Sequence, residues 1–332
     1  MVSLTYCLPI EVRAKGGMYT FMGYFLAHLQ QEGIQFTQSL SDTYDILFVN
    51  SWVIPYKLIL KIKRDHPNIR VIQRVDGSAQ DYGRHDNADN QQAKVNLLAD
   101  LTIFQSQYSK HSSREKFRVI HQNGPVVYNP VDPVLFNPEG DKMSLPGSFR
   151  ICNASWSTNR KKGTWKLGQL AQQHPDITFV LCGRYEDIPD VPNICMLGHL
   201  DRNGMAAAMR SCHSFLNLSE NDPCPNVILE AMASGLPIMY VDSGGVNELV
   251  GNSGFAIRCE TFRQSYEKMI SCHTNIAQEA RKRILEHFTP EIIFPQYLAA
   301  IAATQRRTIP TLLERMQLRV KGYPVLKDRT LL

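Results

Sequence analysis

Much is scarce in this 332-residue sequence. No run approaches the roughly 18 consecutive apolar residues that a membrane-spanning helix needs. The amino-terminal MVSLTYCLPIEV lacks a basic start and a long apolar stretch, so it reads as a strand and not as a signal peptide. The eight cysteines (7, 152, 182, 195, 212, 224, 259 and 272) form no CxxC pair, and most sit inside apolar runs. That argues against a disulfide frame or a cysteine zinc site and expects reduced core residues of a cytoplasmic protein. Without a secretion signal, the sequons at Asn153 and Asn217 carry no weight. The dinucleotide fingerprint GxGxxG is missing, which argues against a dinucleotide-dependent dehydrogenase. No His/Asp cluster has metal-ligand spacing, and none of the ten histidines is nominated by its spacing. Charge of one sign is also scarce on the body of the chain. The net charge is +5, and residues 306–332 alone carry seven Lys/Arg against two acids. The rest is neutral overall, which does not suit a nucleic-acid binder with a basic folded face. The basic tail 306–332 reads as a solvated or docked helix, or as a peripheral contact with a membrane surface or polyanion at the inner face.

What is present is an ordinary globular composition, 43% hydrophobic and 20% charged. The length suggests about two domains. Short apolar runs alternate with longer helical patterns. VSLTYCL, YDILFVN, IRVIQRVDG and LTIFQSQ are strands, separated by helical stretches such as GGMYTFMGYFLAHLQQEG. After the linker-like NPEGDKMSLPGS the pattern restarts with SFRICNASW, ITFVLCGR, NICMLGHL, SFLNLSE and PIMYVDSGG as strands, and the remainder is mostly helical. Strands alternating with helices of this length predict an α/β fold: two doubly wound Rossmann-like domains facing a cleft. The expected boundaries are 1–145, 146–290 and a helical tail at 291–332. Ligands of such sheets bind at the carboxyl ends of the strands.

Three stretches at strand ends carry chemistry. Gly16 and Gly17, in AKGGMYTF, open the first helix; they are either a plain tight turn or a close approach to an anion. STNRKKG places Arg160, Lys161 and Lys162 before a helix, as a solvated basic loop or as contacts to a diphosphate. SENDPCPNVILEAMASG puts Asp222 in a loop, Pro225 at the first helical position, and Glu230 eight residues after Asp222, inside a helix ending at Gly235. Asp222 is either a dipole-favoured acid or part of a clamp. Glu230 lies among apolar and small neighbours and should have a partner. Two carboxylates flanking a helix start, with N–H groups of Asn226 and Val227 between them, suit a nucleotide sugar. In the first half, Asp76 of VIQRVDG either orients or deprotonates an acceptor hydroxyl, or caps the turn before Gly77.

DPCPNVILEAMASGLPIMYVDSGGVNELV resembles the signature of family-4-type retaining glycosyltransferases of the GT-B fold (glycosyl transferases group 1). The matching positions are Asp222, Glu230, Gly235 to Pro237, Gly244, Gly245 and Glu248. The glycine pair at 16–17, YNPVDPVLF, KKG and LCGR follow in the expected order, so the likeness covers most of the chain. It implies a nucleotide-diphosphate sugar, foremost a UDP-sugar, as co-substrate, with no other cofactor and no bound metal. It implies Glu230 on the ribose, Asp222 on the donor sugar, Lys162 on the diphosphate, and a glycan, lipid-linked or small-molecule acceptor. It also implies that FTPEIIFPQYLAAIAA is a closing helix that crosses back to the first domain. The sequence departs from the pattern in four places. Asp222 stands for a glutamate and Pro225 for a glycine. Arg160 substitutes for an arginine expected nearer 156–157, and Asp76 stands where a histidine is usual. An epimerase or hydrolase of nucleotide sugars, or a non-catalytic sugar-nucleotide or glycan binder on the same fold, are the alternatives.

Overall fold

The computed structural model describes residues 4–9, 16–84, 86–116 and 124–309. The chain divides into two compact units: residues 1–128 with 293–332, and residues 129–292.

The sheet of the first unit runs β2-β1-β3-β4-β5, all parallel: β1 Tyr6–Cys7, β2 Phe36–Thr37, β3 Ile46–Asn50, β4 Arg70–Val75 and β5 Leu101–Phe104. Alternate residues face opposite sides. Ile46, Phe48, Ile72 and Ile103 pack against helix α1 (Gly17–Gln31) and the closing helix α11 (Pro290–Ala302). Leu47, Val49, Val71 and Phe104 pack against α2 (Tyr56–Asp65) and α3 (Ala88–Leu98). Both faces are therefore covered, and β3 and β5 are largely apolar, whereas β4 also buries Gln73 and Arg74. Phe25 of α1 stacks on Phe294 of α11 at 5.0 Å, which ties the closing helix into this core.

In the second unit the order is β8-β7-β6-β9-β10-β11, again all parallel: β6 Arg150–Ser155, β7 Thr178–Gly183, β8 Ile194–Gly198, β9 Ser214–Asn217, β10 Ile238–Tyr240 and β11 Gly254–Ala256. The strand order reverses between β6 and β9 here, and between β1 and β3 in the first unit. Those switch points are where open α/β sheets take ligands. Ile151, Phe179, Leu216 and Met239 bury against α5 (Leu167–Gln173) and α9 (Phe262–Ser271).

The first boundary differs from the expected 145/146. Residues 129–145 look like a linker but are fastened to the second unit. Asn129 Nδ2 donates to Cys224 O at 3.1 Å, Arg281 to the carbonyls of Pro133 and Phe136, and Arg210 to those of Leu135 and Asp141. Proline punctuation conceals this, because the contacts come from distant arginines. Edge strands β2 and β11 and helix α4 (Gln107–Lys116) also go beyond the sequence reading. The strands are too short to show alternation, and α4 is serine-rich and polar. The basic tail is described through residue 309. Arg306 donates to Lys63 O and Arg307 N to Asp100, while the remainder of 306–332 lies outside the described residues.

Candidate active site

The second unit builds a site from the loops that follow β6 and β9, the two strands at its switch point. After β6, Asn159 caps a 3₁₀ turn over Arg160–Lys162 by accepting from Lys161 N at 2.9 Å. Gly163 then turns left-handed, at φ +68°. No other residue fits here. A Cβ would meet the carbonyl oxygen of Leu218 at 2.3 Å, because the two loops touch through their backbones. Gly163→Ala is expected to cost roughly 2–4 kcal/mol, from strain plus a backbone clash. Urea denaturation measures it, and a loss under about 1 kcal/mol would mean the loops are free to part.

Lysines and acids cross this contact. Lys162 Nζ pairs with Asp222 Oδ2 at 2.8 Å, and Lys161 Nζ with Glu220 Oε2 at 2.9 Å. Lys166 reaches the other oxygen of Glu220 at 3.3 Å. The Lys161 hydrogen bond, opposed by burial and aided by Lys166, holds the Glu220 carboxyl below the usual carboxylate range. Arg160 does not join Asp222; its guanidinium lies 4.9 Å over the ring of Trp165. Gly244 is the second obligatory glycine, with φ +72° and a Cβ position 2.3 Å from Asp222 O. Gly245 N donates to that same oxygen at 2.9 Å, so the glycine pair grips the backbone of Asp222.

Helix α7 (Asn226–Ala233) follows. Pro225 sits one position earlier than expected, as the N-cap and not the first helical residue; its ring still fills a place that needs no donor. Gly235 (φ +75°) closes the helix in a Schellman motif: Leu236 N donates to Ala231 O and Gly235 N to Met232 O, each at 3.0 Å. Five of the eight residues are fully enclosed. The other three, Asn226, Val227 and Glu230, keep some exposure and share one face by their i, i+3 and i+4 spacing. The helix therefore buries all but one stripe.

Glu230 sits on that stripe without the partner the sequence leads one to expect. Among the described residues its carboxylate has no hydrogen bond and no ion pair. Burial pushes it up to about 7, and the charge of Arg202 acts in the opposite direction. A desolvated carboxyl left unpaired at the open face of a buried helix can accept hydrogen bonds from a ligand's hydroxyl groups.

Gly16, Gly17 and Asp76 belong to the first unit. Gly16 precedes α1 at φ +132°, and its carbonyl accepts from Tyr19 N and Thr20 N. Asp76 follows β4. Its Oδ1 accepts from Arg74 Nη1 at 2.7 Å and from Gln105 Nε2 at 3.0 Å. Asp76 thus neutralises a fully buried arginine, a job its position before Gly77 did not disclose.

Three participants lie outside the expected set. Glu220 holds the basic loop, Asn129 braces the start of α7 through Asn226 Oδ1 at 2.7 Å, and Ser243 Oγ accepts from Asn221 N at 2.9 Å. Glu220 stands two residues before Asp222 in the motif, and Asn129 lies in YNPVDPVLF, so both had a positional signal but no chemical one. Among the described residues no group of three His, Cys, Asp or Glu side chains is placed to share a metal ion.

Residues 158–275, which contain the second-unit site apart from Asn129, match the family model described as "Glycosyl transferases group 1". Among solved structures the chain is similar to Anabaena HepE in complex with UDP and glucose, at 16% identity and a TM-score of 0.69, covering 91% of this chain and 99% of that one. It is similar to sucrose-phosphate synthase from Thermosynechococcus elongatus, at 17% identity and a TM-score of 0.66, covering 86% and 79%. A glycosyltransferase from Rickettsia africae ESF-5 gives 15% identity and 0.62, covering 86% and 87%. No curated protein sequence matches the chain. At such identities the structural likeness speaks for the fold, and the family match speaks for the segment that carries the site. Together they place residues 158–275 in the glycosyl transferases group 1 family and give the chain the fold of the GT-B glycosyltransferases.

Proposed function

We propose that the chain is a retaining glycosyltransferase that moves a sugar from a nucleoside-diphosphate sugar, foremost a UDP-sugar, to the hydroxyl of an acceptor. The observation that carries this is the unpaired, desolvated Glu230 on the one open stripe of α7, set at the switch point beside the basic loop that follows β6. Glu230 would accept the ribose hydroxyls. The N–H groups at Asn226 and Val227, which lack intrahelical acceptors, would face the diphosphate with Lys162 and Arg160. Asp222 would take a hydroxyl of the donor sugar. Its pairing with Lys162 sets the sugar-binding acid and the phosphate-binding base side by side, where the scissile bond would lie.

In the reaction the anomeric C–O bond breaks and its electron pair goes to the diphosphate. Lys162, Arg160 and the helix start stabilise that charge without reorganising. The acceptor oxygen bonds to the anomeric carbon from the face the diphosphate leaves, and its proton passes to the departing phosphate oxygen. The first unit supplies the acceptor side, where Asp76, fixed by Arg74, orients the hydroxyl, and the Gly16–Gly17 turn lets a ligand approach the backbone. These basic groups stand in for a cation, so turnover is expected to survive EDTA. Contact of the tail with an anionic membrane surface belongs to the same proposal, as a way to reach an acceptor there.

The test is a thermal-shift screen of the full chain against nucleoside diphosphates and their sugars. A ligand at 100 times its Kd adds about 2.7 kcal/mol to the native state, so UDP or a UDP-sugar is expected to raise Tm by several degrees. No shift with any member would end the donor assignment. A changed or hydrolysed sugar from donor alone, with no acceptor product, would make the chain an epimerase or hydrolase. Binding without turnover would make it a non-catalytic relative.

A further inference from the structure

Beyond β3 the chain does something costly. Ser51 takes left-handed backbone at φ 56°, where a non-glycine residue gives up roughly 1 kcal/mol or more. Two hydrogen bonds from β4 hold it there. Ser51 N donates to Arg74 O at 2.7 Å, and Ser51 O accepts from Gln73 Nε2 at 3.1 Å. The pinned turn delivers Trp52 and Val53 to the surface, 40% and 41% exposed, between buried Ser51 and buried Ile54. The Trp52 indole has no ring or hydrogen-bond partner among the described residues. An aromatic side chain held out by a strained turn is not serving the core.

Its place is informative. β3 lies beside β1, so this turn and the Gly16–Gly17 turn flank the switch point of the first unit's sheet, where sheets of this strand order take ligands. The same carboxyl ends carry hydrogen-bonding groups in a fixed array. Arg74, buried beneath them, holds Asn50 Oδ1 at 2.8 Å, Asp76 Oδ1 at 2.7 Å and Gln105 Oε1 at 3.0 Å. The Asp76 side chain remains 36% exposed. The open aromatic ring thus stands on the loop that follows β3, and the held carboxylate on the loop that follows the adjacent strand β4.

We propose that Trp52 is the stacking platform of an acceptor subsite in the first unit, and that the acceptor is a carbohydrate. A pyranose has the complementary chemistry: its C–H face meets the electron-rich face of the indole, and its hydroxyl edge donates to Asp76. A lipid chain would leave the carboxylate without use, and two exposed apolar residues give a bilayer little to hold. This rests on the glycosyltransferase reading and narrows its acceptor from glycan, lipid-linked or small-molecule to a sugar ring.

The test is a glycan array probed with the labelled full chain in the presence of UDP, followed by titration of the glycans retained. Trp52→Ala is expected to bind them about tenfold more weakly, and Trp52→Phe, which keeps a ring face, to lose much less. Melting temperatures within a degree of wild type check that both variants fold. Equal affinity in Trp52→Ala would overturn the proposal, as would an array that retains no wild-type protein. Sedimentation of the wild type, but not Trp52→Ala, with phosphatidylglycerol vesicles would reassign the turn to a lipid surface. UDP thermal shifts on the same preparations separate the cases: if UDP binds and no glycan does, only the acceptor subsite fails.

Discussion

Glu230→Gln is expected to make the ligand-free protein more stable at pH 8 while making it a worse donor binder. The carboxyl titrates near 7 in the folded chain against an ordinary 4.5, because burial disfavours its charged form. With the folded value raised, the unfolded state ionises first. Stability is unaffected below pH 4.5, falls as pH rises from there to about 7, and stays lower above. The separation corresponds to at most about 3 kcal/mol at pH 8, and the residual exposure of Glu230 trims it. Glutamine has the same shape without the charge, so its advantage over wild type should be absent at pH 4 and grow through that window. Urea unfolding of both proteins at pH 4, 6 and 8 measures it. A stability difference that does not change with pH would show that the carboxylate is not desolvated.

The ligand-bound half of this prediction has the opposite sign. Each hydrogen bond from a ribose hydroxyl to a charged acceptor contributes about 1.5–3 kcal/mol. Glu230→Ala, which removes both acceptors, should weaken UDP by roughly a hundredfold or more at pH 8, and Glu230→Gln by less. Wild-type affinity should also fall below pH 7 as the carboxyl takes up its proton. Calorimetric titration of the glutamine variant across the same pH range subtracts the phosphate's own titration. A residue that costs stability unliganded and repays it on binding is what selection for function would retain here.

The legibility of the chain follows from where its information lies. β3 and β7 are buried on both faces and announce themselves as largely apolar runs, while β4 and β6 carry buried polar residues such as Gln73, Arg74 and Asn153. The second-unit motif is visible because its glycines answer to backbone geometry: Gly163 and Gly244 fill positions where no Cβ fits, and Gly235 closes a helix. The partnerships were not visible. That Lys162 pairs with Asp222, 60 positions away, depends on β6 and β9 becoming neighbours, and nothing local encodes that. Glu230 shows the limit most plainly. Its apolar surroundings in the sequence implied a partner, yet the fold leaves the partner out. Asp76 shows the converse: the turn chemistry around it is local, but its duty to Arg74 arises from tertiary packing.

Arg74→Ala is expected to have the largest effect on stability of any single substitution in the first unit, about 3–5 kcal/mol. The guanidinium is 1% exposed and lies 4.0 Å over the ring of Phe21. It donates to Asn50, Asp76, Gln105 and, through Nε at 3.2 Å, to the hydroxyl of Tyr297. Those partners stand on the ends of β3, β4 and β5 and on α11. Alanine would leave them in a cavity, short of a donor, with one of them a carboxylate. Arg74→Met restores most of the volume and the contact with Phe21 but none of the donors, so the difference between the two variants isolates packing from polar satisfaction. Asp76→Asn keeps an acceptor for Arg74 and removes only charge. It should cost about 1–3 kcal/mol, and its cycle with Arg74→Met reports the pair directly. If Arg74→Ala cost less than about 1 kcal/mol, the array at the strand ends would be held by the sheet itself, and Arg74 would be a passenger. If the cost is as expected, Asp76→Asn becomes the informative catalytic variant. It leaves the array standing, and UDP affinity should be unchanged because the groups proposed to hold the donor lie in the second unit. A drop in turnover under those conditions is the result expected if Asp76 orients the acceptor hydroxyl as proposed.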